Sequence, residues 1–159
     1  MAGANSGAEL EKMTRCLLDA GPLIAFFDAG EAEHERVVAW MRPFRGEFIT
    51  TGAVVTEAFH FLGAEKRALG ALVEFLQQPG VRVLDCFGPE SLNRARDLMR
   101  KYAAVPMDFA DATLVWAAEH SLTDDILTLD ERGFRTFRHG RNRMFNLVIQ
   151  DVQFRQVTT

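Results

Sequence analysis

Short apolar runs alternate along this chain with longer segments whose apolar positions recur at helical spacing. Strands are bounded by turn residues, so the short runs predict strands at 16–18, 48–50, 81–84 and 126–129, with an edge strand within 145–149. The periodic segments predict helices from Pro22 through Phe27, then over 37–41, 54–62, 66–76, 90–102 and 109–120. Strands that alternate with helices are typical of an α/β fold around a mostly parallel sheet flanked by helices.

The chain is 159 residues long, which suits one domain. Because no linker or internal repeat interrupts the pattern, we expect a single domain over residues 14–150. The small, polar opening predicts a disordered lead-in at 1–13, and residues 151–159 are expected to form a C-terminal tail.

The composition, 48% hydrophobic and 25% charged residues, is that of a globular protein and excludes a fibre or a disordered chain. The net charge of −4 argues against a protein that coats nucleic acid through bulk positive charge. Cys16 and Cys86 lie in apolar runs, which favours buried free thiols in a reducing compartment. The sequence shows no secretory signal and no apolar run of about 20 residues, so we expect a cytoplasmic protein.

Two acidic residues stand where predicted strands end. Asp19 follows the first apolar run, and Asp130 follows the run at 126–129. In parallel α/β sheets, ligands gather at the carboxyl ends of the strands. Each residue could instead cap a turn, but together they indicate a site at one edge of the sheet.

Three further acids lie on or beside predicted helices. Glu57 interrupts an otherwise apolar helix, and a buried carboxylate is costly unless it is paired or binds a metal. Asp108 and Asp111 stand three residues apart at the start of the helix over 109–120. Helix capping explains Asp108 well and Asp111 less well, so a functional role for both stays open.

Four segments carry these acids, at 17–23, 55–58, 107–112 and 127–130. In their order and spacing they resemble the four acidic motifs of PIN-domain ribonucleases, and most of all the VapC-type toxins of toxin–antitoxin pairs. The resemblance implies a PIN-like fold and a catalytic acidic quartet, with Thr128 as a supporting hydroxyl and Asp108 as an accessory acid. The quartet is Asp19, Glu57, Asp111 and Asp130. Ala20 departs from the pattern, since many relatives carry Ser or Thr there.

The resemblance also implies a metal-dependent endoribonuclease whose products carry 5′-phosphate and 3′-hydroxyl ends. Its cofactor would be Mg²⁺ or Mn²⁺, with Asp19, Asp111, Asp130 and Glu57 as candidate ligands and Asp108 as a further one. A small antitoxin and a homodimer are the implied protein partners, and helices 54–62 and 66–76 could supply the dimer surface.

Elementary electrostatics agrees with a metal site. Two carboxylates about 5 Å apart repel by about 3 kcal/mol at an effective dielectric constant near 20. Without a cation, some of these groups should therefore have a raised pKa and hold a proton. Hard divalent cations prefer carboxylate oxygen and relieve this repulsion.

A basic segment follows Asp130. Residues 132–143 contain five arginines and no acidic residue, so the rest of the chain carries a net charge of −9. Phe134 and Phe137 between the arginines suggest base stacking beside phosphate contacts. The candidate RNA-binding residues are Arg132, Arg135, Arg138, Arg141 and Arg143. A solvated basic loop, or a surface for an acidic partner, is the alternative.

Two other functions stay open. One is a housekeeping PIN nuclease without an antitoxin, and the other is a non-catalytic module that binds RNA or protein. The absence of a G-x-S-x-G motif, a P-loop and a G-x-G-x-x-G motif gives no support for a serine hydrolase or a nucleotide-dependent enzyme.

Overall fold

Five parallel strands form the central sheet of the computed structural model, which describes residues 15–150. The strands are β1 (Arg15–Leu18), β2 (Glu47–Thr51), β3 (Val81–Leu84), β4 (Asp125–Leu127), β5 (Arg138–His139), β6 (Arg143–Met144) and β7 (Asn146–Leu147). Of these, β5 and β6 form a small hairpin separate from the central sheet. Across the sheet the order is β3-β2-β1-β4-β7. The first strand therefore lies in the middle.

Helices connect the strands and flank the sheet. They are α1 (Ala20–Phe27), α2 (His34–Met41), α3 (Gly52–Leu62), α4 (Lys66–Leu76), α5 (Pro89–Lys101), α6 (Phe109–Ser121) and α7 (Glu131–Thr136). Packing joins α1 to α2 and α3, and it joins α5 to α6. None of the helices within 15–150 has both the length and the apolar character needed to cross a bilayer.

The buried elements explain the hydrophobic pattern. Leu17 and Leu18 of β1 are fully buried, as expected for a central parallel strand with both faces covered. The helix α6 is apolar around most of its circumference, and all residues from Ala112 to Ala118 are buried. A helix that is apolar on every side lies inside the core.

The direction of strand order reverses between β1 and β4, since β2 and β3 lie on one side of β1 while β4 and β7 lie on the other. At such a reversal the connections diverge and leave a crevice at the carboxyl ends of the strands. Asp19 directly follows β1, and Thr128 directly follows β4. The topology therefore places both at the mouth of this crevice.

The structure confirms the predicted α/β class, the parallel sheet and the edge position of the last strand. Cys16 and Cys86 are buried free thiols, as expected. The sequence pattern missed α7 and the β5–β6 hairpin, because elements of six and two residues are too short to show a period. The predicted lead-in at 1–13 and tail at 151–159 lie outside the described residues.

Candidate active site

An open cleft of about 460 Å³ lies at the carboxyl ends of β1 and β4. Its walls contain all five acidic residues singled out from the sequence, which are Asp19, Glu57, Asp108, Asp111 and Asp130. They come from four separate segments of the chain. The tertiary structure thus brings together what the sequence could only place on individual elements.

Asp19 is the most buried of these acids, with 8% of its surface exposed. It is the N-cap of α1, and its Oδ1 accepts a hydrogen bond from the Ala20 backbone N–H at 2.8 Å. Its Oδ2 accepts a bond from the Thr128 hydroxyl at 2.7 Å. The same Thr128 oxygen accepts from the Asp130 N–H at 3.0 Å. Thr128 therefore connects the ends of β1 and β4 through hydrogen bonds.

Asp108 and Asp111 form a reciprocal capping box at the start of α6. The Asp111 N–H donates to Asp108 Oδ1 at 2.8 Å, and the Asp108 N–H donates to Asp111 Oδ2 at 3.1 Å. The capping interpretation of Asp108 is therefore correct, and it extends to Asp111. Capping occupies one oxygen of each carboxylate, so both residues can cap the helix and still face the cleft.

Glu57 and Asp130 complete the cleft from two other elements. Glu57 lies on α3 and is half-buried rather than fully enclosed. Asp130 is exposed and caps α7, where its Oδ1 accepts from the Gly133 N–H at 3.0 Å. Gly133 is buried, and a Cβ at this position would collide with the Asp130 carboxylate. A glycine is thus needed for Asp130 to reach its cap position.

The electrostatics of the cleft follow from burial and from like charge. Burial raises the pKa of Asp19 to about 6, with the charges of Glu57 and Asp108 adding to the rise against the bonds from Thr128 and Ala20. Burial, followed by the charges of Asp108 and Asp19, raises the pKa of Asp111 well above its usual range. Burial and Asp108 also raise the pKa of Glu57. The cleft thus favours either protons or a cation.

The donor set fits a hard divalent cation, since carboxylate oxygens are the ligands that Mg²⁺ and Mn²⁺ prefer. Within residues 15–150, no three acidic, histidine or cysteine side chains are already arranged around one point as ligands. Asp111 Oδ1 and Asp130 Oδ2 accept no hydrogen bond in the described part of the chain, so each residue retains an oxygen for a cation.

The structure separates the five arginines predicted to contact RNA. Arg132 lies beside Asp130 in a neighbouring cleft of about 140 Å³, with Val105, Pro106 and Gly133. The other arginines differ in their contacts. Arg135 pairs with Glu131, Arg138 donates to the carbonyls of residues 135–137, Arg143 pairs with Asp124, and Arg141 is exposed. RNA binding by this set stays a prediction.

The expected base stacking by Phe134 and Phe137 is wrong. Both side chains are fully buried, and their rings pack edge to face at 5.2 Å. The segment is not an open loop, because α7 and its C-cap place Phe134 and Phe137 in the core, while Arg132 and Arg135 are exposed. Their spacing of three residues, which is a helical spacing, was the signal that could have identified them as core residues.

Sequence reasoning also missed the uncharged walls of the cleft. Pro106 and Leu129 line it, and so does Gly21, where an added Cβ would be in ordinary contact with Leu129. Gly21 and Leu129 lie within the acidic segments 17–23 and 127–130, and Pro106 directly precedes the segment 107–112. Their proximity to the motifs was therefore the available signal, although no residue-type chemistry pointed to them.

No family model matches the chain. Its sequence is similar to Ribonuclease VapC26 of Mycobacterium tuberculosis, with 29% identity over 124 residues that cover 77% of this chain and 91% of the relative. Its fold is similar to the crystal structure of M. tuberculosis VapC20, described as a sarcin–ricin loop cleaving toxin. The TM-score is 0.69 at 19% identity, over 79% of this chain and 98% of VapC20. In sequence and fold, therefore, this chain is similar to the VapC-type PIN proteins that its four acidic motifs predicted.

Proposed function

We propose that this protein is a divalent-metal-dependent endoribonuclease, and that it acts as the toxin of a toxin–antitoxin pair in the cytoplasm. The observation that carries the proposal is the convergence of five carboxylates in one cleft at the reversal point of a parallel sheet. The names of the two similar proteins, a ribonuclease and a sarcin–ricin loop cleaving toxin, support it. The free, buried thiols of Cys16 and Cys86 suit a reducing compartment.

The chain's own residues have distinct parts in this proposal. Asp19 and Asp111 would hold the cation, Asp130 would be a further or water-mediated ligand, and Glu57 would orient the water or a second ion. Thr128 keeps Asp19 in place through its 2.7 Å hydrogen bond. When bound, Mg²⁺ or Mn²⁺ makes a water acidic enough to attack a phosphodiester and stabilises the leaving oxygen.

The electrostatic state of the cleft supports a cation as the missing partner. Within residues 15–150, Asp19 and Asp111 form no ion pair with a lysine or an arginine, and their pKa values are raised instead of lowered. A bound cation favours the ionised carboxylates and so lowers the pKa values that burial and neighbouring acids raise. It also reverses the local sign, so that an RNA phosphate can approach an acidic cleft.

The proposed protein partners are a second copy of the chain and a small antitoxin. Phe59 and Phe61 on α3 are 40% and 62% exposed, which supports α3 as part of a homodimer surface. A short open reading frame directly upstream of the gene, encoding an antitoxin-like protein, would favour the toxin over a housekeeping nuclease.

The test is cleavage of structured RNAs by the purified protein in Mg²⁺ or Mn²⁺, with and without a chelator. We expect cleavage that needs the metal and is lost in Asp111→Asn. The matched control is Asp97→Asn, an exposed acid on α5 outside the cleft, which should cleave like the wild type. RNA binding without metal-dependent cleavage by the wild type would contradict the nuclease and favour the non-catalytic binding module.

A further inference from the structure

Buried threonine hydroxyls lie close to the acidic residues of the cleft. Thr50 and Thr51 end β2, Thr128 follows β4, and Thr113 lies on α6, two residues after Asp111. All four threonines have 0% exposure. A buried hydroxyl must find a hydrogen-bond partner, so the bonds that these groups make are structurally constrained.

Two of these hydroxyls connect strand ends. Thr128 bonds Asp19, as described above, and the Thr50 hydroxyl donates to the Leu18 carbonyl at 2.8 Å, directly before Asp19. Thr50 and Thr128 therefore support the position of Asp19 from the two strands that flank β1.

The other two hydroxyls bond each other. Thr51 Oγ1 and Thr113 Oγ1 are 2.8 Å apart. The Thr113 hydroxyl also lies 2.7 Å from the Ala110 carbonyl, which can only accept. Because a hydroxyl has one hydrogen, Thr113 donates to Ala110 and Thr51 donates to Thr113. The pair is thus a directed chain from Thr51 to the first turn of α6.

This hydroxyl pair joins the two helices that carry Glu57 and Asp111. Thr51 is the N-cap of α3, where its oxygen also accepts from the Val54 N–H, and Glu57 lies further along the same helix. Thr113 fixes the first turn of α6, which carries Asp111. Neither threonine lines the cleft. The hydrogen bond between them directly links the helix that carries Glu57 to the helix that carries Asp111.

We propose that the Thr51–Thr113 hydrogen bond positions Glu57 and Asp111 relative to each other and thereby sets the cleft's affinity for a divalent cation. Both threonines are positioning residues, since neither touches the cation or the substrate. The inference rests on the proposed function, because it assumes that the carboxylates bind a metal. Groups that hydrogen-bond a metal ligand typically change metal affinity 10–100-fold when they are removed. The Thr51–Thr113 bond acts through the helices that carry the carboxylates, so we expect an effect at the lower end of this range.

A purely structural part for the pair makes a different prediction. In that case, its removal lowers the melting temperature while the metal affinity of the folded protein stays the same. In the double variant Thr51→Val/Thr113→Val neither hydroxyl is left without the other, but the Val54 N–H loses its cap bond and the melting temperature should fall. Thr113→Val keeps the Thr51 cap, so this variant, with its own melting curve, separates positioning from stability.

The test is titration of the metal-free protein with Mn²⁺ alone in a calorimeter, together with a melting curve for each variant. We expect Thr51→Val and Thr113→Val each to weaken Mn²⁺ binding about tenfold. The double variant should be no weaker than either single one, because one shared bond is lost in all three. Thr51→Ser and Thr113→Ser keep the hydroxyl and should bind nearly like the wild type.

The matched control is Thr56→Val. This threonine also lies on α3, but it is exposed and its hydroxyl donates to the Gly52 carbonyl within the same helix. It should leave Mn²⁺ affinity unchanged. If one single variant does not fold, the other single variant, the double variant and the serine variants still give the comparison.

Two results would overturn the inference, and they can be told apart. Wild-type Mn²⁺ affinity in the folded valine variants, alongside loss of binding in Asp111→Asn, would refute the positioning role and leave the proposed function intact. No Mn²⁺ binding by the wild type would refute both.

Discussion

Two groups of acidic residues stand at opposite ends of the central strands, and they have opposite electrostatics. Asp19 and Asp111 lie at the carboxyl ends, where burial and neighbouring acids raise their pKa values. Glu119 and Asp124 lie near the start of β4, where cations lower their pKa values. The ionised form of a carboxylate is therefore disfavoured at the carboxyl ends of the strands and favoured at the opposite ends.

The difference comes from their partners. Glu119 receives two hydrogen bonds from Arg94, at 2.8 and 2.9 Å, and one from the Gly140 N–H at 2.7 Å. Asp124 pairs with Arg143 and lies 2.8 Å from His139 Nε2. These bonds attach the β5–β6 hairpin to the end of α6 and the start of β4. The paired acids join elements together, whereas the unpaired acids leave charge available for a ligand.

The largest effect should follow from removing an unpaired acid. Asp19→Asn should lower metal-dependent cleavage by at least about 100-fold, more than removal of an outer partner typically does, because a direct ligand is lost. Steady-state cleavage of one RNA in Mn²⁺ measures the effect, and circular dichroism checks the fold. Full activity in this variant would contradict the assignment of Asp19.

The unpaired acids should also make the metal-free protein less stable as pH rises. An acid whose pKa is higher in the folded state holds more protons when folded, so the free energy of unfolding falls with increasing pH. For Asp19 the fall begins near the ordinary value of 3.8, continues to about 6 and then levels off, at about 1.4 kcal/mol per pH unit for one proton.

A series of melting curves from pH 4 to pH 8, with and without Mn²⁺, measures this effect. Mn²⁺ should raise the melting temperature more at pH 8 than at pH 5, since protons compete for the same oxygens at low pH. A stabilisation by Mn²⁺ that does not change with pH would contradict the proposed ligands.

Removing an acid that pairs with a cation should lower the stability of the fold, whereas removing an acid of the cleft should lower cleavage. Glu119→Gln removes the charge that holds Arg94 and should lower the free energy of unfolding by about 1–2 kcal/mol, because the pair is only partly buried. Urea denaturation measures the loss. Asp97→Asn, which breaks the exposed pair with Arg96, should change stability by less than about 0.5 kcal/mol. Equal losses in both variants would show that burial does not separate the two pairs.

The smallest effect concerns two arginines of the basic segment. Arg132 lines the smaller cleft next to the acidic one, beside Asp130, and makes no side-chain hydrogen bond or ion pair within residues 15–150, whereas Arg143 pairs with Asp124. We expect Arg132→Ala to weaken RNA binding several-fold and to reduce its salt dependence by about one phosphate contact. Arg143→Ala should act mainly on the melting temperature. Filter binding at several salt concentrations compares them, and an unchanged salt slope for Arg132→Ala would contradict its RNA contact.

Much of the fold could be predicted because its main elements have clear periods. The bounds of α4 and β3 agree with the predicted ranges 66–76 and 81–84. The prediction of a strand to residue 129 was too long, since β4 ends at Leu127 and the following turn holds Thr128. Turn geometry depends here on the bond from Thr128 to Asp19, which is 109 residues away in sequence. A local pattern contains no information on such a contact.

The acidic residues of the candidate site and the rise in their pKa were predictable from the sequence, whereas the pairing of the nearby arginines was not. Residue type and spacing identified five acids, and the structure brings all five to one cleft. The same reasoning grouped five arginines as one RNA surface, although Arg135 and Arg143 form ion pairs with acids of the chain. A pairing partner is set by three-dimensional proximity, so the sequence alone could not separate free cations from paired ones.

The sequence by itself determined the alternation of strands and helices and the acids at their ends, because hydrophobic period and residue type are local properties. Only the tertiary structure decided that Phe134 and Phe137 belong to the core, that Glu119 meets Arg94, and that Thr51 meets Thr113. These outcomes depend on which distant segments touch. Burial and charge then determine what each contact does. Glu119 and Asp124 pair with cations and hold elements together, whereas Asp19 and Asp111, within the described residues, remain without a cation partner and form the candidate site.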